Sequence, residues 1–106
     1  MKTIIENLNW RYATKVFDTS KELPAEDLEY ILEAGRLAAT SYGLQPFKMV
    51  VVTDEAKKQE LMGHAYGQGQ VGVNGALIIL AAQTNVDEAF ITEFTTRIES
   101  TRGLPI

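Results

Sequence analysis

The chain has 106 residues, 45% hydrophobic and 23% charged, which is the composition of one small globular domain. Its net charge is -4 and its Lys and Arg residues are scattered, so we expect no nucleic-acid partner. With no cysteine and one histidine, disulfides, thiolate nucleophiles and cysteine zinc sites are excluded, and we predict no metal site. The chain opens without a secretion-signal pattern, and the apolar run 76–82 is too short to span a bilayer. We therefore expect a cytoplasmic protein without a membrane partner.

The first quarter of the chain predicts two helices. Thr3 and Glu6 have the spacing of a capping box, so a short helix is expected over residues 3–11. Pro24 suits the first position of a second helix, whose apolar residues recur at helical spacing as far as about residue 39.

A turn, a strand and a third helix come next. Turn-forming residues lie between 40 and 46, and the β-branched, apolar run 47–52 predicts a strand. Asp54 is placed to cap a third helix that extends through residue 62. The glycine-rich stretch 67–72 predicts a loop.

A second strand and a fourth helix complete the predicted order. Residues 76–82 are apolar on both faces, which predicts a strand at the centre of its sheet. Asn85 with Glu88 indicates the start of a fourth helix, and Gly103 its end. Two strands make a marginal sheet, so we expect the chain to be part of a larger fold or an intimate oligomer.

Two cations stand out where the first helix ends. Arg11 and Lys15 are four positions apart among apolar and aromatic neighbours that we expect to anchor the segment. A bidentate guanidinium beside an ammonium suits an anionic ligand such as a phosphate. The alternative is that both side chains bind the last carbonyls of the helix. Spacing alone leaves both interpretations open.

Other candidate residues also have ordinary explanations. Gly67, Gly69 and Gly72 satisfy a dinucleotide-binding pattern, but that pattern needs a strand before it and a helix after it. In this chain a helix is predicted before the glycine-rich stretch and a strand after it. A small nucleotide-binding domain is therefore the weakest hypothesis. Gln68 and Gln70 are candidates for presenting amides to a planar heterocycle. Thr40 and Ser41 have a plain alternative as turn-stabilising hydroxyls, and Tyr42 as a packing residue.

Three segments in order resemble the FMN-dependent nitroreductase family. Residues 11–17 are similar to its R-x-S-x-[RK]-x-F motif, residues 39–47 to its P-[ST]-S-x-x-x-Q-P-[WF] segment, and residues 68–71 to its Q-x-Q-V loop. The chain departs from these patterns at Ala13, Ala39 and Phe47, where the family has Ser, Pro and usually Trp.

The resemblance implies an α+β fold, in which a mixed sheet is flanked by helices, and a homodimer with FMN at its interface. Because family members are roughly twice this length, residues 1–106 would be the N-terminal portion of a single nitroreductase-like domain. Eight residues would contact the cofactor: Arg11, Tyr12, Ala13, Lys15, Thr40, Ser41, Gln68 and Gln70.

The implied activity is NAD(P)H-dependent reduction of nitroaromatic or quinone-type acceptors by ping-pong hydride transfer through the flavin. The resemblance names no catalytic side chain, since the cofactor carries the chemistry. The alternative is a non-catalytic, truncated module that binds a partner or associates with itself and holds no cofactor.

Overall fold

A computed structural model describes residues 3–103, and the chain divides into two compact units. Of the described residues, the first unit combines 3–22 with 53–77, and the second combines 23–52 with 78–103. The helices are α1 (Ile4–Trp10), α2 (Ala25–Leu37), α3 (Glu55–His64), α4 (Gly69–Val73) and α5 (Glu88–Arg102). The strands are β1 (Phe47–Val52) and β2 (Leu77–Ala82), and a 3-10 turn spans Ser41–Gly43.

In the first unit, α1 begins with the predicted capping box. The Thr3 hydroxyl accepts from the Glu6 N–H at 3.2 Å, and the Glu6 carboxylate accepts from the Thr3 N–H at 2.5 Å. Both bonds satisfy amides that a helix start leaves without intrahelical partners. The helix ends where the Arg11 N–H donates to the Asn7 carbonyl at 2.9 Å. The predicted first helix is therefore confirmed.

Helix α3 begins as predicted, whereas the loop predicted for residues 67–72 is wrong. The Asp54 carboxylate accepts from the Lys57 N–H at 2.9 Å and caps α3. After the turn at Gly67, residues Gly69–Val73 form α4 despite the low helix propensity of glycine. This helix packs against α3, whose side chains donate hydrogen bonds to the carbonyl of Gly72 and to that of Asn74, the residue after the helix. Tertiary bonds therefore override the local preference for a loop.

In the second unit, the two strands form an antiparallel pair. The Gln83 N–H, just past β2, donates to the Pro46 carbonyl, just before β1, at 2.7 Å. A bond between the end of one strand and the start of the other requires opposite directions. Among residues 3–103, β2 pairs with β1 alone, and Leu80 is 66% exposed. The prediction of a central strand is wrong for this part of the chain.

Helices α2 and α5 complete the second unit. Helix α2 starts after Pro24 and approaches β1 so closely that a Cβ on Gly35 would lie 3.0 Å from the Met49 sulfur. Helix α5 is capped by Asp87, whose carboxylate accepts from the Phe90 N–H at 3.0 Å. The predicted cap, Asn85, instead donates its side-chain amide to Asp87 at 2.7 Å. Gly103 ends the helix with φ 66, as predicted.

Burial in the described residues is unusually shallow. Between residues 3 and 103 no hydrophobic residue is buried, and the exposed large ones include Ile4, Leu8, Tyr30 and Leu37. A folded domain normally hides such side chains in a core. No helix in this range has the length and apolar character needed to cross a membrane.

Candidate functional site

Among the described residues, neither cation of the segment 11–17 has an intramolecular partner. Arg11 and Lys15 are exposed, and within residues 3–103 neither side chain makes a hydrogen bond or an ion pair. The first helix therefore takes no cap from them in the described structure, which favours the anion-binding interpretation. Tyr12 and Val16 are 80% and 84% exposed, so our expectation that the apolar neighbours anchor the segment is wrong for these two.

Asp18, the first carboxylate after Lys15 along the chain, is engaged by other residues. Asp18 accepts hydrogen bonds from the Ser20 hydroxyl at 2.6 Å and the Ser20 N–H at 3.1 Å. It also pairs with Lys21, whose Nζ lies 3.5 Å away. The Ser20 hydroxyl, then the Ser20 N–H, lower the pKa of Asp18, because hydrogen bonds to a carboxylate favour its charged form. Asp18 thus does not compensate the charge of Arg11 or Lys15, and no other described carboxylate pairs with them.

The two glutamines lie together at the start of α4. The Gln70 side-chain amide donates to the Gln68 side-chain oxygen at 2.9 Å. This leaves the Gln68 amide group as a donor and the Gln70 oxygen as an acceptor, and the reverse orientation of both amides would also leave one donor and one acceptor. A donor beside an acceptor is complementary to the edge of a planar heterocycle. The structure therefore brings together two of the predicted residues.

In the second unit, Thr40 and Ser41 begin the 3-10 turn. Ser41 is exposed, whereas the Thr40 hydroxyl is buried and has no hydrogen-bond partner among the described residues. Tyr42 follows with φ 53 and is 96% exposed, so its predicted packing role is wrong. The turn is tied to α2 by Gln45, whose side-chain amide donates to the Arg36 carbonyl at 2.8 Å. The turn is thus bonded to α2 and contains one buried polar atom, the Thr40 hydroxyl, without a partner among the described residues.

The predicted cofactor residues fall into both units. Six of them lie in the first unit: Arg11, Tyr12, Ala13, Lys15, Gln68 and Gln70. Thr40 and Ser41 lie in the second. No hydrogen bond or ion pair in the described part of the first unit joins the segment 11–15 to the glutamine pair.

A groove that we did not predict lies in the second unit. It encloses about 460 Å³ between α5 and residues 43–45. Phe90 and Phe94 line it with aromatic rings, and Arg97, Arg102 and Glu93 line it with charged groups. The ring of Phe94 lies 3.9 Å from the position of a Cβ on Gly43. The spacing of Phe90 and Phe94 in the sequence is that of one helix face, which by itself gives no sign of a groove.

A comparison with protein families identifies the class of protein. The model of the nitroreductase family matches residues 8–100, which include all three segments described above. The chain therefore belongs to the nitroreductase family, as its resemblance predicted.

Individual relatives agree with this assignment. A protein of Staphylococcus aureus strain USA300, provisionally named NAD(P)H nitroreductase, is 41% identical over 86 residues, which are 80% of this chain and 39% of that protein. A relative from Staphylococcus haemolyticus with the same provisional name is 40% identical over 86 residues, again 39% of its length. The chain thus spans about two fifths of the length of these relatives.

Solved structures confirm the α+β fold. A nitroreductase-like protein from Streptococcus mutans matches with a TM-score of 0.76 at 24% identity, covering 97% of this chain and 51% of that one. A Bacillus subtilis protein, provisionally described as a nitroreductase, matches with a TM-score of 0.73 at 25% identity, covering 92% of this chain and 44% of that one. The chain therefore corresponds to about half of a nitroreductase-like structure.

Proposed function

We propose that this chain is the N-terminal portion of a single domain in an FMN-dependent NAD(P)H oxidoreductase. The enzyme would reduce nitroaromatic or quinone-type acceptors, with oxidation of NAD(P)H and reduction of the acceptor in separate half-reactions. The observation that carries the proposal is the family match over residues 8–100, because it includes all three of the predicted cofactor-contacting segments.

The chemistry of the available side chains fits FMN. Arg11 and Lys15 have no carboxylate partner among the described residues, so their charges are available to a phosphate and to the pyrimidine edge of the ring. Gln68 and Gln70 retain one donor and one acceptor for the ring edge. Thr40 has a buried hydroxyl that a ligand could satisfy.

The remaining assigned contacts are simpler. Tyr12 and Ala13 would offer backbone groups, since Ala13 lacks the hydroxyl that the family motif has there. Ser41 is exposed and can donate its hydroxyl to the ring. Bound FMN would supply the hydride and electron transfer. Lys15 would stabilise negative charge on the pyrimidine ring, and we assign no side chain as a general acid or base.

We assign α1 to contact with a second copy of the chain. Ile4, Ile5 and Leu8 are 78%, 66% and 57% exposed, and their spacing of three and four residues places them on neighbouring parts of one helix surface. An exposed cluster of this kind is typical of a protein interface. Leu8→Ser should shift the protein toward monomer in sedimentation equilibrium, while Asn9→Ser, a polar exchange on the same helix, should not. If both variants associate equally, α1 is not part of the interface.

Flavin binding tests the proposal directly. FMN is titrated into protein expressed from its natural reading frame, and quenching of flavin fluorescence is followed. Oxidation of NADH and of NADPH is then measured with a nitroaromatic and with a quinone. We expect saturable one-to-one FMN binding and flavin-dependent turnover. Absence of both in a folded protein refutes the proposed activity.

The non-catalytic module is the second candidate, and it is favoured by the shallow burial of residues 3–103. Exposed apolar helices suit a protein whose role is assembly. The double variant Arg11→Ala, Lys15→Ala separates the two candidates. It should weaken FMN binding and leave assembly unchanged in the enzyme, whereas a module without cofactor would show no flavin binding to lose.

A further inference from the structure

Lys58 on α3 is the one charged residue that is buried among residues 3–103, with 4% of its surface exposed. Its ammonium donates to the backbone carbonyl of Asn74, which follows α4. No carboxylate in the described part of the chain pairs with it. Burying an unpaired ammonium is costly, and a neutral carbonyl compensates only part of that cost. A lysine held in this way calls for a structural reason.

Gln59, the next residue on α3, makes a parallel contact. Its side-chain amide donates to the Gly72 carbonyl at 3.2 Å. A Cβ on the buried Gly72 would lie 2.7 Å from the Gln59 Nε2, so a side chain at position 72 would displace the Gln59 amide from this carbonyl. Lys58 and Gln59 therefore hold two carbonyls at the C-terminal end of α4. We call Lys58, Gln59, Gly72 and Asn74 the α3–α4 clasp.

The clasp reaches the glutamine pair through Asn74. The Asn74 side-chain amide donates to the Gln70 carbonyl at 2.9 Å and to the Val71 carbonyl at 3.0 Å. Gln70 in turn holds Gln68 by the side-chain bond at 2.9 Å. A continuous series of hydrogen bonds thus leads from the Lys58 ammonium to both glutamines.

The clasp also explains why α4 is helical. The helix has five residues, two of them glycine, and such a segment is unstable as an isolated helix. The positive charge of Lys58 lies beside carbonyls at the negative end of the helix dipole, which adds a favourable interaction. Without the bonds from α3, only the short-range bonds to Gln68 and Asn74 would hold Gln70.

We infer that Lys58 is a positioning residue that fixes Gln70 and Gln68 for the flavin by holding α4 through Asn74. This inference rests on the proposed function, because it assigns those glutamines to the ring edge. Lys58 itself would not touch the cofactor and would act only through α4.

A double-mutant cycle in the protein from its natural reading frame tests the inference. Lys58→Met keeps the length and apolar stem of the side chain but removes the ammonium. It should weaken FMN binding by about 3- to 10-fold, the value of one ordinary hydrogen bond. In a Gln70→Ala background the same change should have almost no effect, since the group that it positions is gone. Lys57→Met, at the exposed neighbouring lysine, is the matched control and should leave affinity unchanged.

Equal losses in both backgrounds would overturn the inference, because they would show a general structural effect. If Lys58→Met does not fold, Gln59→Ala, which removes the second donor of the clasp from an exposed residue, replaces it in the same cycle.

Hydrogen exchange of the amides of residues 71–74 provides a readout that needs no flavin. Exchange should become faster there in Lys58→Met and stay unchanged in α1; unchanged exchange at residues 71–74 would refute the clasp. A folded wild type that binds no FMN refutes the proposed function, while the exchange result still decides the role of Lys58.

Discussion

Replacement of Arg11 and of Lys15 by glutamine tests whether segment 11–17 binds the flavin phosphate. Each change removes one positive charge and keeps a polar side chain of similar length. Lys21→Gln is the matched control, because Lys21 lies in the same unit and its side chain is 79% exposed. Lys21 differs in having a carboxylate partner, Asp18, at 3.5 Å. The three variants lower the net charge equally, so a loss confined to positions 11 and 15 cannot come from net charge alone.

The expected magnitude follows from the partners that the structure gives each cation. A hydrogen bond to a charged group contributes about 1.5–3 kcal/mol, which corresponds to roughly 10- to 150-fold in affinity. Arg11 and Lys15 are exposed and screened by salt, so we take the lower limit. Arg11→Gln should weaken FMN binding by about 10-fold, and Lys15→Gln by about 3- to 10-fold. Lys21→Gln should change it by less than about 2-fold, since its charge is already paired.

Fluorescence titration of FMN at two salt concentrations measures these values, and riboflavin, which lacks the phosphate, serves as a second ligand. The Arg11→Gln loss should shrink at high salt and vanish for riboflavin, because both conditions remove the phosphate interaction. A comparable loss in Lys21→Gln would show an effect of net charge alone. An Arg11→Gln loss that persists with riboflavin would place Arg11 away from the phosphate.

The remaining predictions concern stability. Gly63→Ala should stabilise the protein by about 0.5–1 kcal/mol in denaturant unfolding, since a Cβ there meets nothing within 4 Å. Gly35→Ala should gain less, because the Met49 sulfur at 3.0 Å must move; equal gains would contradict the close approach of α2 to β1. The Phe90 N–H, then the Asn85 amide, lower the pKa of Asp87. The stability that ionised Asp87 contributes is therefore complete above the usual aspartate pKa and is lost as the pH falls through the lowered value. Thermal unfolding from pH 7 (a neutral reference) into acid should show a shallower decrease for Asp87→Asn, and identical profiles would refute this role.

Features that depend on residues within one turn of each other were predictable from the sequence. The capping box of Thr3 and Glu6 and the cap at Asp54 each join residues three positions apart, so their spacing contained the information. Strand β1 was also predicted with its observed bounds, because a short run of β-branched residues has few alternatives. The cap of α5 shows the limit of such local evidence: Asn85 and Asp87 both suit the role, and the structure assigns it to Asp87.

The candidate site, like the fold, was predictable from the sequence only in part. The sequence identified Arg11, Lys15 and the glutamines as candidates from residue type and order, but it left open whether the cations cap α1. Only the structure shows them without partners in the described residues, with Asp18 engaged by Ser20 and Lys21. The groove beside α5 was not predictable, because it depends on the distance between that helix and the turn at residues 43–45.

Helix α4 shows most clearly what the sequence by itself determined and what it did not. The sequence determined the caps of α1 and α3, the strand β1 and the order of the three family segments, all of which depend on near neighbours or on residue type. It predicted a loop at 67–72, because glycine disfavours a helix. The bonds that make this segment helical come from Lys58 and Gln59, which lie 16 and 13 residues from their acceptors. Contacts over that separation depend on how α3 and α4 pack, and tertiary structure alone decides them.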